Sequence, residues 1–227
     1  VMTPQPTEFQ GQISTTRFHL DQQQPILDLL VNIPLLPATP LFTLNAEPGA
    51  LAWNCTRSEF TPDTAAFTWT SGPEPEWTLE ARWTFDPAND LWRCAHTIRR
   101  TGQQPGRIFD AAVRFSLPPA PWSAYAQHSA WCNENQGAWH PLDGGTWILD
   151  SNGGRTTQTH TPYLFLRDAE SGRALAWHLI PNGNWFIRIR SPLPSHFNTA
   201  HRPITLDLGL GDRDFRPVLE PGQTLAL

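Results

Sequence analysis

The stretch from His128 to His160 holds most of the residues in this sequence that could carry chemistry. It mixes indole and imidazole side chains with amides, carboxylates and glycines, as in the run Trp139-His-Pro-Leu-Asp-Gly-Gly-Thr-Trp147. Such residue types can build three kinds of site, namely a metal centre, an acid–base pair or a sugar-binding surface.

A metal centre would use His128, His140 and His160 together with one carboxylate. Zinc ligands usually occur at short and regular spacings, and these three histidines are widely and irregularly spaced. The sequence also contains no Lys and no Gly-x-Ser-x-Gly motif, which removes Schiff-base chemistry and the nucleophile elbow of the α/β-hydrolases. We therefore predict no metal site and no cofactor.

An acid–base pair would combine Glu134 with one of the same histidines. Imidazole is suited to proton transfer near neutral pH, and burial can raise the pKa of a glutamate towards that range. The alternative is that these side chains hydrogen-bond to loop backbone. Because the sequence favours this alternative, we predict no catalytic residue.

A sugar-binding surface would use flat indole faces next to side chains that hydrogen-bond to hydroxyl groups. The opposing interpretation is that the tryptophans pack in the protein core, and the sequence leaves both open. The candidate carbohydrate-binding residues are Trp131, Glu134, Trp139, His140, His160, Asn184 and Trp185.

Composition excludes several classes of partner. The chain has 227 residues, a net charge of −5 and 16% charged residues, and all of its basic residues are Arg. Nucleic-acid binding needs clustered cations, so we expect no nucleic-acid partner. The longest apolar run, residues 33–42, is interrupted by three prolines, and it is too short to cross a membrane.

Three cysteines occur, Cys55, Cys94 and Cys132, and they form no C-x-x-C pair. An odd number at wide spacing argues against both a disulfide framework and a zinc site. We expect three small buried thiols in a reducing compartment, and therefore a cytoplasmic protein without a signal peptide.

Alternation of apolar and polar residues dominates the chain. Residues 77–85 place four large apolar side chains and one small one so that they alternate with polar ones, and residues 91–99 repeat the pattern after a turn-rich Asp86-Pro-Ala-Asn-Asp90. This predicts a hairpin of two half-buried strands. Residues 107–117 and 163–166 predict further strands. Residues 174–180 and 185–189 predict a second hairpin across the Asn-Gly dipeptide at 182–183.

Helices are not predicted, because proline interrupts nearly every long window. Residues 25–33 fit either a short helix or a strand, and residues 34–48 are expected to form a surface loop. Many short strands separated by turns indicate a single all-β domain over residues 1–227, built as a large two-sheet antiparallel sandwich.

Three segments resemble the N-terminal domain of family 36 α-galactosidases. They are Gly153-Gly-Arg-Thr-Thr-Gln-Thr-His160-Thr-Pro, followed by an apolar strand; Gly172 to Trp185, which ends in a Gly-Asn-aromatic turn; and Leu208-Gly-Leu-Gly-Asp-Arg-Asp214, followed by Leu219-Glu-Pro-Gly. Together they cover about residues 137–227 and occur in the order found in that family.

This resemblance implies a galactose-mutarotase-like β-supersandwich that is not itself catalytic. In the family the catalytic aspartates belong to a (β/α)8 barrel that follows this domain, and they have no counterpart here. The implied partners are that barrel, a galactoside and a second subunit of a homo-oligomer. The stretch around residues 34–47 would border the neighbouring subunit's active site.

Two other functions remain open at this stage. The same architecture serves sugar mutarotases, for which His128, His140, His160 and Glu134 would be the acid and base candidates. The chain could also be a free-standing carbohydrate-binding module that uses Trp131, Trp139 or Trp185.

Overall fold

The computed structural model describes residues 9–13, 16–21, 24–28, 30–31, 33–34, 42–46, 53–72, 74–89, 91–130, 132–153, 157–181, 183–193, 203–211 and 216–227. The chain divides into two compact units. The first comprises Val1–Val31, Pro37–Phe109 and Arg216–Leu227, and the second comprises Asn32–Leu36 and Asp110–Phe215. That the whole chain behaves as a single domain remains a prediction.

The first unit contains an antiparallel five-stranded sheet. Its strands follow the order β20-β10-β9-β8-β7, and a smaller sheet has the order β1-β2-β3. The strands of this unit are β1 (Phe9–Ile13), β2 (Thr16–Asp21), β3 (Gln24–Asp28), β4 (Leu30–Val31), β6 (Phe42–Ala46), β7 (Trp53–Phe60), β8 (Thr64–Ser71), β9 (Trp77–Asp86), β10 (Leu91–Arg100), β19 (Val218–Leu219) and β20 (Thr224–Ala226).

The predicted hairpin is confirmed as β9 and β10, with Leu91 opposite Asp86 and Arg100 opposite Trp77. Asp86 stabilises the turn by accepting hydrogen bonds from the Ala88 N–H and the Asn89 side chain. The alternation predicted for β9 is also observed, since its odd-numbered residues from 77 to 83 are buried. Full burial of a large apolar side chain contributes about 1.5–3 kcal/mol, so this face anchors the sheet.

The second unit contains two antiparallel four-stranded sheets. One follows the order β14-β17-β18-β11 and the other the order β13-β12-β15-β16. Their strands are β11 (Gly106–Leu117), of which the first four residues belong to the first unit, β12 (Trp122–Ala130), β13 (Asn133–Pro141), β14 (Gly145–Ser151), β15 (Tyr163–Asp168), β16 (Ala174–His178), β17 (Trp185–Ser191) and β18 (Ile204–Gly211); β5 (Ile33–Pro34) also lies in this unit.

The two sheets of the second unit meet through apolar side chains. The ring centroids of Phe115 on β11 and Trp177 on β16 lie 5.7 Å apart. Leu164 and Leu166 on β15 are fully buried, as are Ile187 and Leu206 in the other sheet. The all-β, antiparallel fold class is thus confirmed, and the described residues contain no helix.

One predicted hairpin is wrong. β16 pairs with β15, whereas β17 pairs with β14 and β18, so the segment 179–184 connects the two sheets. Gly183 adopts a positive φ of 111°, which glycine readily accommodates. This local feature carries no information about which strands pair.

Three further expectations are corrected. Strand β6 lies inside the stretch 34–48 that was expected to be a loop, although residues 35–41 and 47–48 lie outside the described residues. Residues 24–28, 30–31 and 33–34 are strands, which settles the choice between helix and strand for the described part of 25–33. Of the three thiols expected to be buried, Cys55 and Cys94 are only partly buried, and Cys132 is exposed because it occupies the turn between β12 and β13 with a φ of 59°.

No helix among the described residues is long and apolar enough to cross a membrane.

Candidate functional site

A cleft with a volume of about 290 Å³ lies in the second unit, where β13 leads into β14. These strands are the edge strands of their two sheets, so the cleft forms where the sandwich is open at its side. The imidazole of His140 and the indole of Trp147 both line it and are in contact, with their centroids 5.1 Å apart. Other lining residues are Leu142, Gly145, Thr146, Ile189 and Ser191.

The register of the strands explains why these side chains meet. His140 is opposite Ala124, which is fully buried, and Trp147 is opposite Ile189, which is 1% exposed. Side chains on one face of a strand alternate with those on the other, so both rings project from the faces that the two sheets turn towards each other.

Hydrogen bonds fix the rim of the cleft. The Leu142 N–H donates to the Trp122 carbonyl oxygen at 2.9 Å, and the Ser191 hydroxyl donates to the Leu142 carbonyl oxygen at 3.0 Å. Gly144 and Gly145 have φ values of 130° and 89°, a region of backbone conformation that residues other than glycine rarely adopt. The connection between β13 and β14 is therefore tied to both sheets.

His160 lies in a different place from His140. It forms an isolated bridge with His128, and the two imidazole centroids are 5.5 Å apart. Its Nδ1 is 3.1 Å from the Asp150 carbonyl oxygen and 3.8 Å from the Asp150 Oδ1 atom. Because three residues of β14 separate Asp150 from Trp147, about 10 Å of strand divides this group from the cleft.

A third group of candidate side chains occupies the outer face of the sheet that contains β13. We call it the aromatic face, and it comprises Tyr125, Trp139, Tyr163, Phe165 and Arg167. The indole of Trp139 is 43% exposed and lies 5.5 Å from the Tyr125 ring. The guanidinium of Arg167 lies over that indole, 4.5 Å from its centroid. One side of the indole is thus covered by a cation.

The remaining predicted site residues are scattered. Trp131 lies outside the described residues. Glu134 is exposed on β13, and the step of six positions from it to His140 corresponds to about 20 Å of strand. Asn184 is half-buried before β17, and Trp185 has no exposed surface, which agrees with core packing. Sugar binding by the predicted set therefore stays a prediction, and only His140 among these residues lines the cleft.

Sequence reasoning missed a cluster of charges around Asp207. This carboxylate is 1% exposed and accepts hydrogen bonds from Arg114 at 2.6 and 3.0 Å and from Arg190 at 2.5 Å. Arg188 lies 3.9 Å from it. The signal was present in the sequence as an Arg-x-Arg pair in an apolar strand and a single Asp between leucines on β18, but their register was not predictable.

In the first unit, burial determines the protonation states of His96 and Cys94. His96 is 2% exposed, and burial lowers the pKa of its imidazole to about 4. Its Nδ1 lies 3.4 Å from the Cys94 sulfur, and burial raises the pKa of that thiol well above its usual value. At neutral pH both groups are therefore uncharged, which suits a packed interior and does not activate a nucleophile.

These distances limit the reactions and ligands that the side chains of the second unit can support. Glu134 and His140 lie too far apart along β13 to act as an acid–base pair on one substrate, and His128 and His160 form a separate group. Among the described residues, no group of three His, Cys, Asp or Glu side chains is arranged to hold a metal ion. The cleft, in contrast, combines an aromatic pair with neutral polar groups, which is the composition of a small-molecule site.

Comparison with known proteins gives two kinds of match. Residues 71–192 match a family described as the glycosyl hydrolase family 36 N-terminal domain. No curated protein matches the chain.

Several solved structures resemble it as well. An α-galactosidase from Lactobacillus brevis has a TM-score of 0.76 and 13% sequence identity, and the match covers 97% of this chain and 38% of that one. A family 36 α-galactosidase from Geobacillus stearothermophilus, solved with stachyose, has a TM-score of 0.75 and 12% identity over 97% of this chain and 39% of its own.

A galactose mutarotase related enzyme from Lactobacillus acidophilus has a TM-score of 0.56 and 10% identity over 97% of this chain and 95% of its own. The likeness to all three structures is one of fold. The galactose-mutarotase-like fold expected from the sequence is therefore confirmed. The chain spans about two fifths of the length of the two α-galactosidases.

Proposed function

The chain belongs to the glycosyl hydrolase family 36 N-terminal domain, and from that premise we propose that it is the non-catalytic β-domain of an α-galactosidase-like glycoside hydrolase. In this role it supports a catalytic barrel of the same protein and contributes to contacts in a homo-oligomer. The observation that carries the proposal is the family match over residues 71–192, since it extends over more than half of the chain.

The disposition of carboxylates supports a role without catalysis. Glycoside hydrolysis needs two carboxyl groups on opposite sides of the scissile bond, roughly 5–9.5 Å apart. The residues that line the cleft include no Asp and no Glu. Asp207, the most buried carboxylate among the described residues, is already engaged by Arg114 and Arg190 and is closed to a sugar.

The proposal is tested by assaying the 227-residue chain for hydrolysis of p-nitrophenyl α-galactoside. We expect no release of nitrophenol above the buffer rate, because the cleft that the structure describes is lined by no carboxylate. A cooperative unfolding transition measured on the same preparation establishes that the protein is folded. Hydrolysis that is lost in a Glu134→Gln variant would contradict the proposal.

Mutarotation is the second reaction to assay, because a mutarotase-related enzyme shares the fold. Polarimetry on freshly dissolved α-galactose should give the same rate of equilibration with and without the chain. A rate that rises in proportion to the concentration of the chain, and falls in His160→Ala or Glu134→Gln variants, would favour the isomerase alternative.

A further inference from the structure

The cleft where β13 leads into β14 has a defined lining of side chains, and the family assignment does not explain it. We propose that it binds the pyranose ring of a neutral sugar. Its volume of about 290 Å³ lies at the lower limit of the range of about 300–1,000 Å³ that is common for ligand pockets, so it suits one sugar unit and not an extended chain.

The lining residues point to a ligand that has both an apolar face and hydroxyl groups. The half-buried indole of Trp147 provides an apolar wall, and Ile189, which is paired with it across β14 and β17, is too deeply buried to present its own side chain to a ligand. The imidazole of His140 is tilted by 50° against that indole, so the two rings form a corner instead of closing the space by parallel stacking. A pyranose ring can place its C–H face on such a wall.

Polar groups around the corner can engage the sugar hydroxyls. The Ser191 hydroxyl uses its proton on the Leu142 carbonyl oxygen, 3.0 Å away, so its oxygen remains available as an acceptor. The imidazole of His140 adds a group that can donate or accept, depending on its tautomer. The pair Gly145 and Ser191 stands in register on β14 and β17, which brings backbone close to the opening.

The charge of the lining residues argues against anionic ligands. None of the residues that line the cleft is Asp, Glu, Lys or Arg. A phosphate or carboxylate ligand would lose water of hydration without meeting a formal positive charge, and burying a charge without a partner is costly. A neutral polyol avoids this cost. The rim is held by hydrogen bonds on both sides, so binding requires little ordering of the protein.

The test is ligand-observed NMR on the full 227-residue chain, with methyl α-galactopyranoside and methyl α-glucopyranoside as probes and sodium glucuronate as a charged comparison. We expect saturable binding of at least one methyl glycoside with a dissociation constant of about 1 mM, and weaker binding of glucuronate. His140→Ala should weaken binding about tenfold, and Trp147→Ala, which removes the apolar wall, should abolish it.

Trp139→Ala is the matched control, because Trp139 is the neighbour of His140 on β13 but projects from the opposite face towards Tyr125. It should leave the affinity unchanged. The proposal is overturned if no saturable binding occurs up to about fifty times the expected dissociation constant. It is also overturned if Trp139→Ala abolishes binding while His140→Ala does not, since the sugar would then lie on the aromatic face.

The outcome is separable from that of the proposed function. A sugar-binding site can be present or absent in a domain that does not hydrolyse galactosides, and the two assays read different quantities. Unfolding midpoints of the His140→Ala and Trp147→Ala variants, measured beside the wild type, distinguish loss of the site from loss of the fold.

Discussion

His96 illustrates how one buried side chain can make the stability of the protein depend on pH. Its ring packs edge-on against Trp83, with centroids 6.4 Å apart, and its pKa is lowered by burial from 6.5 to about 4. In the unfolded chain the imidazole takes up a proton below pH 6.5, whereas in the folded chain it does so only below about pH 4. Acid between these values therefore favours unfolding.

We predict that the free energy of unfolding decreases by about 3 kcal/mol as the pH falls from 7 to 4, because each pKa unit corresponds to about 1.4 kcal/mol. Urea unfolding at several pH values measures this slope. Replacing the ring in His96→Leu should flatten it, whereas His178→Leu, at an exposed position on β16, should not. Equal slopes for the wild type and His96→Leu would contradict the assignment.

The carboxylates of Asp86 and Asp168 do not obscure this window. Hydrogen bonds from Asn89 and Ser171 hold their pKa values below the ordinary value of 3.8. Whatever they contribute is present above that value and is lost only at lower pH. The slope between pH 4.5 and 6.5 therefore reports chiefly on the buried imidazole.

Asp207 is the second residue whose burial makes a prediction. Its carboxylate compensates the guanidinium groups of Arg114 and Arg190 on neighbouring strands. Removing one partner of a buried ion pair costs about 3–5 kcal/mol. The arginine side chains keep contact with solvent, so Asp207→Asn should lower the free energy of unfolding by about 3 kcal/mol, at the low end of that range.

Chemical denaturation measures this loss. Asp143→Asn, which removes a charge at an exposed position in the connection between β13 and β14, should change the free energy of unfolding by less than about 0.5 kcal/mol. If Asp207→Asn behaved like this control, the cluster would not contribute to stability.

At the scale of elements, the sequence predicted strands far better than their pairing. Residues 77–100 could be assigned to a hairpin because one short turn fixes both the neighbours and their register. The turn at 181–184 gave a similar local signal, but β17 pairs with strands that are distant in sequence. The Asp207 cluster was inaccessible for the same reason, since it joins residues 93 positions apart.

The cleft was predictable only in part. His140 was singled out by its residue type and its aromatic neighbourhood, and Trp147 was recognised as part of the same segment. Ile189 and Ser191 come from β17 and could be added only once β14 and β17 were known to pair. The burial of Trp185 was equally hidden, because an indole at the start of a strand can face either the core or solvent.

Gly209 on β18 gives the prediction that belongs to this scale. A Cβ atom at this position would collide with the Ala111 carbonyl oxygen and with Ala112, which is its partner on β11. Gly209→Ala should therefore lower the free energy of unfolding by about 1–3 kcal/mol through overpacking. Thermal and chemical unfolding measure the loss.

The source of the collision can be separated by a double variant. Ala112→Gly removes one side-chain contact, but the Ala111 carbonyl oxygen belongs to the backbone and stays in place. Combining Ala112→Gly with Gly209→Ala should consequently restore little stability. Full recovery in the double variant would show that only the methyl group of Ala112 opposes a side chain at position 209.

At the scale of the whole molecule, the first unit is assembled from segments that are far apart in the sequence. The first unit is built from segments at the beginning and the end of the chain as well as residues 37–109. Residues 224–226 form β20, which pairs with β10 and covers the edge of the five-stranded sheet. The sheet is therefore completed by residues that come after all strands of the second unit.

Deleting residues 223–227 should consequently destabilise the first unit. The deletion removes β20 together with the two backbone hydrogen bonds between His96 and Leu227, at 2.8 and 3.1 Å, and the bond from the Arg100 N–H to the Gln223 carbonyl oxygen at 3.0 Å. At about 1 kcal/mol for each backbone hydrogen bond lost, the free energy of unfolding should fall by several kcal/mol.

The deletion should also promote self-association, because it leaves the N–H and C=O groups of β10 without their partners in β20, and an open strand edge is a template for pairing with another chain. Light scattering after size-exclusion chromatography, over a range of protein concentrations, measures this. Leu227→Ala keeps both backbone hydrogen bonds to His96 and is the matched control. Its free energy of unfolding and its oligomeric state in solution should remain those of the wild type. A truncated chain as stable and as monodisperse as that control would mean that β20 does not protect the edge of β10.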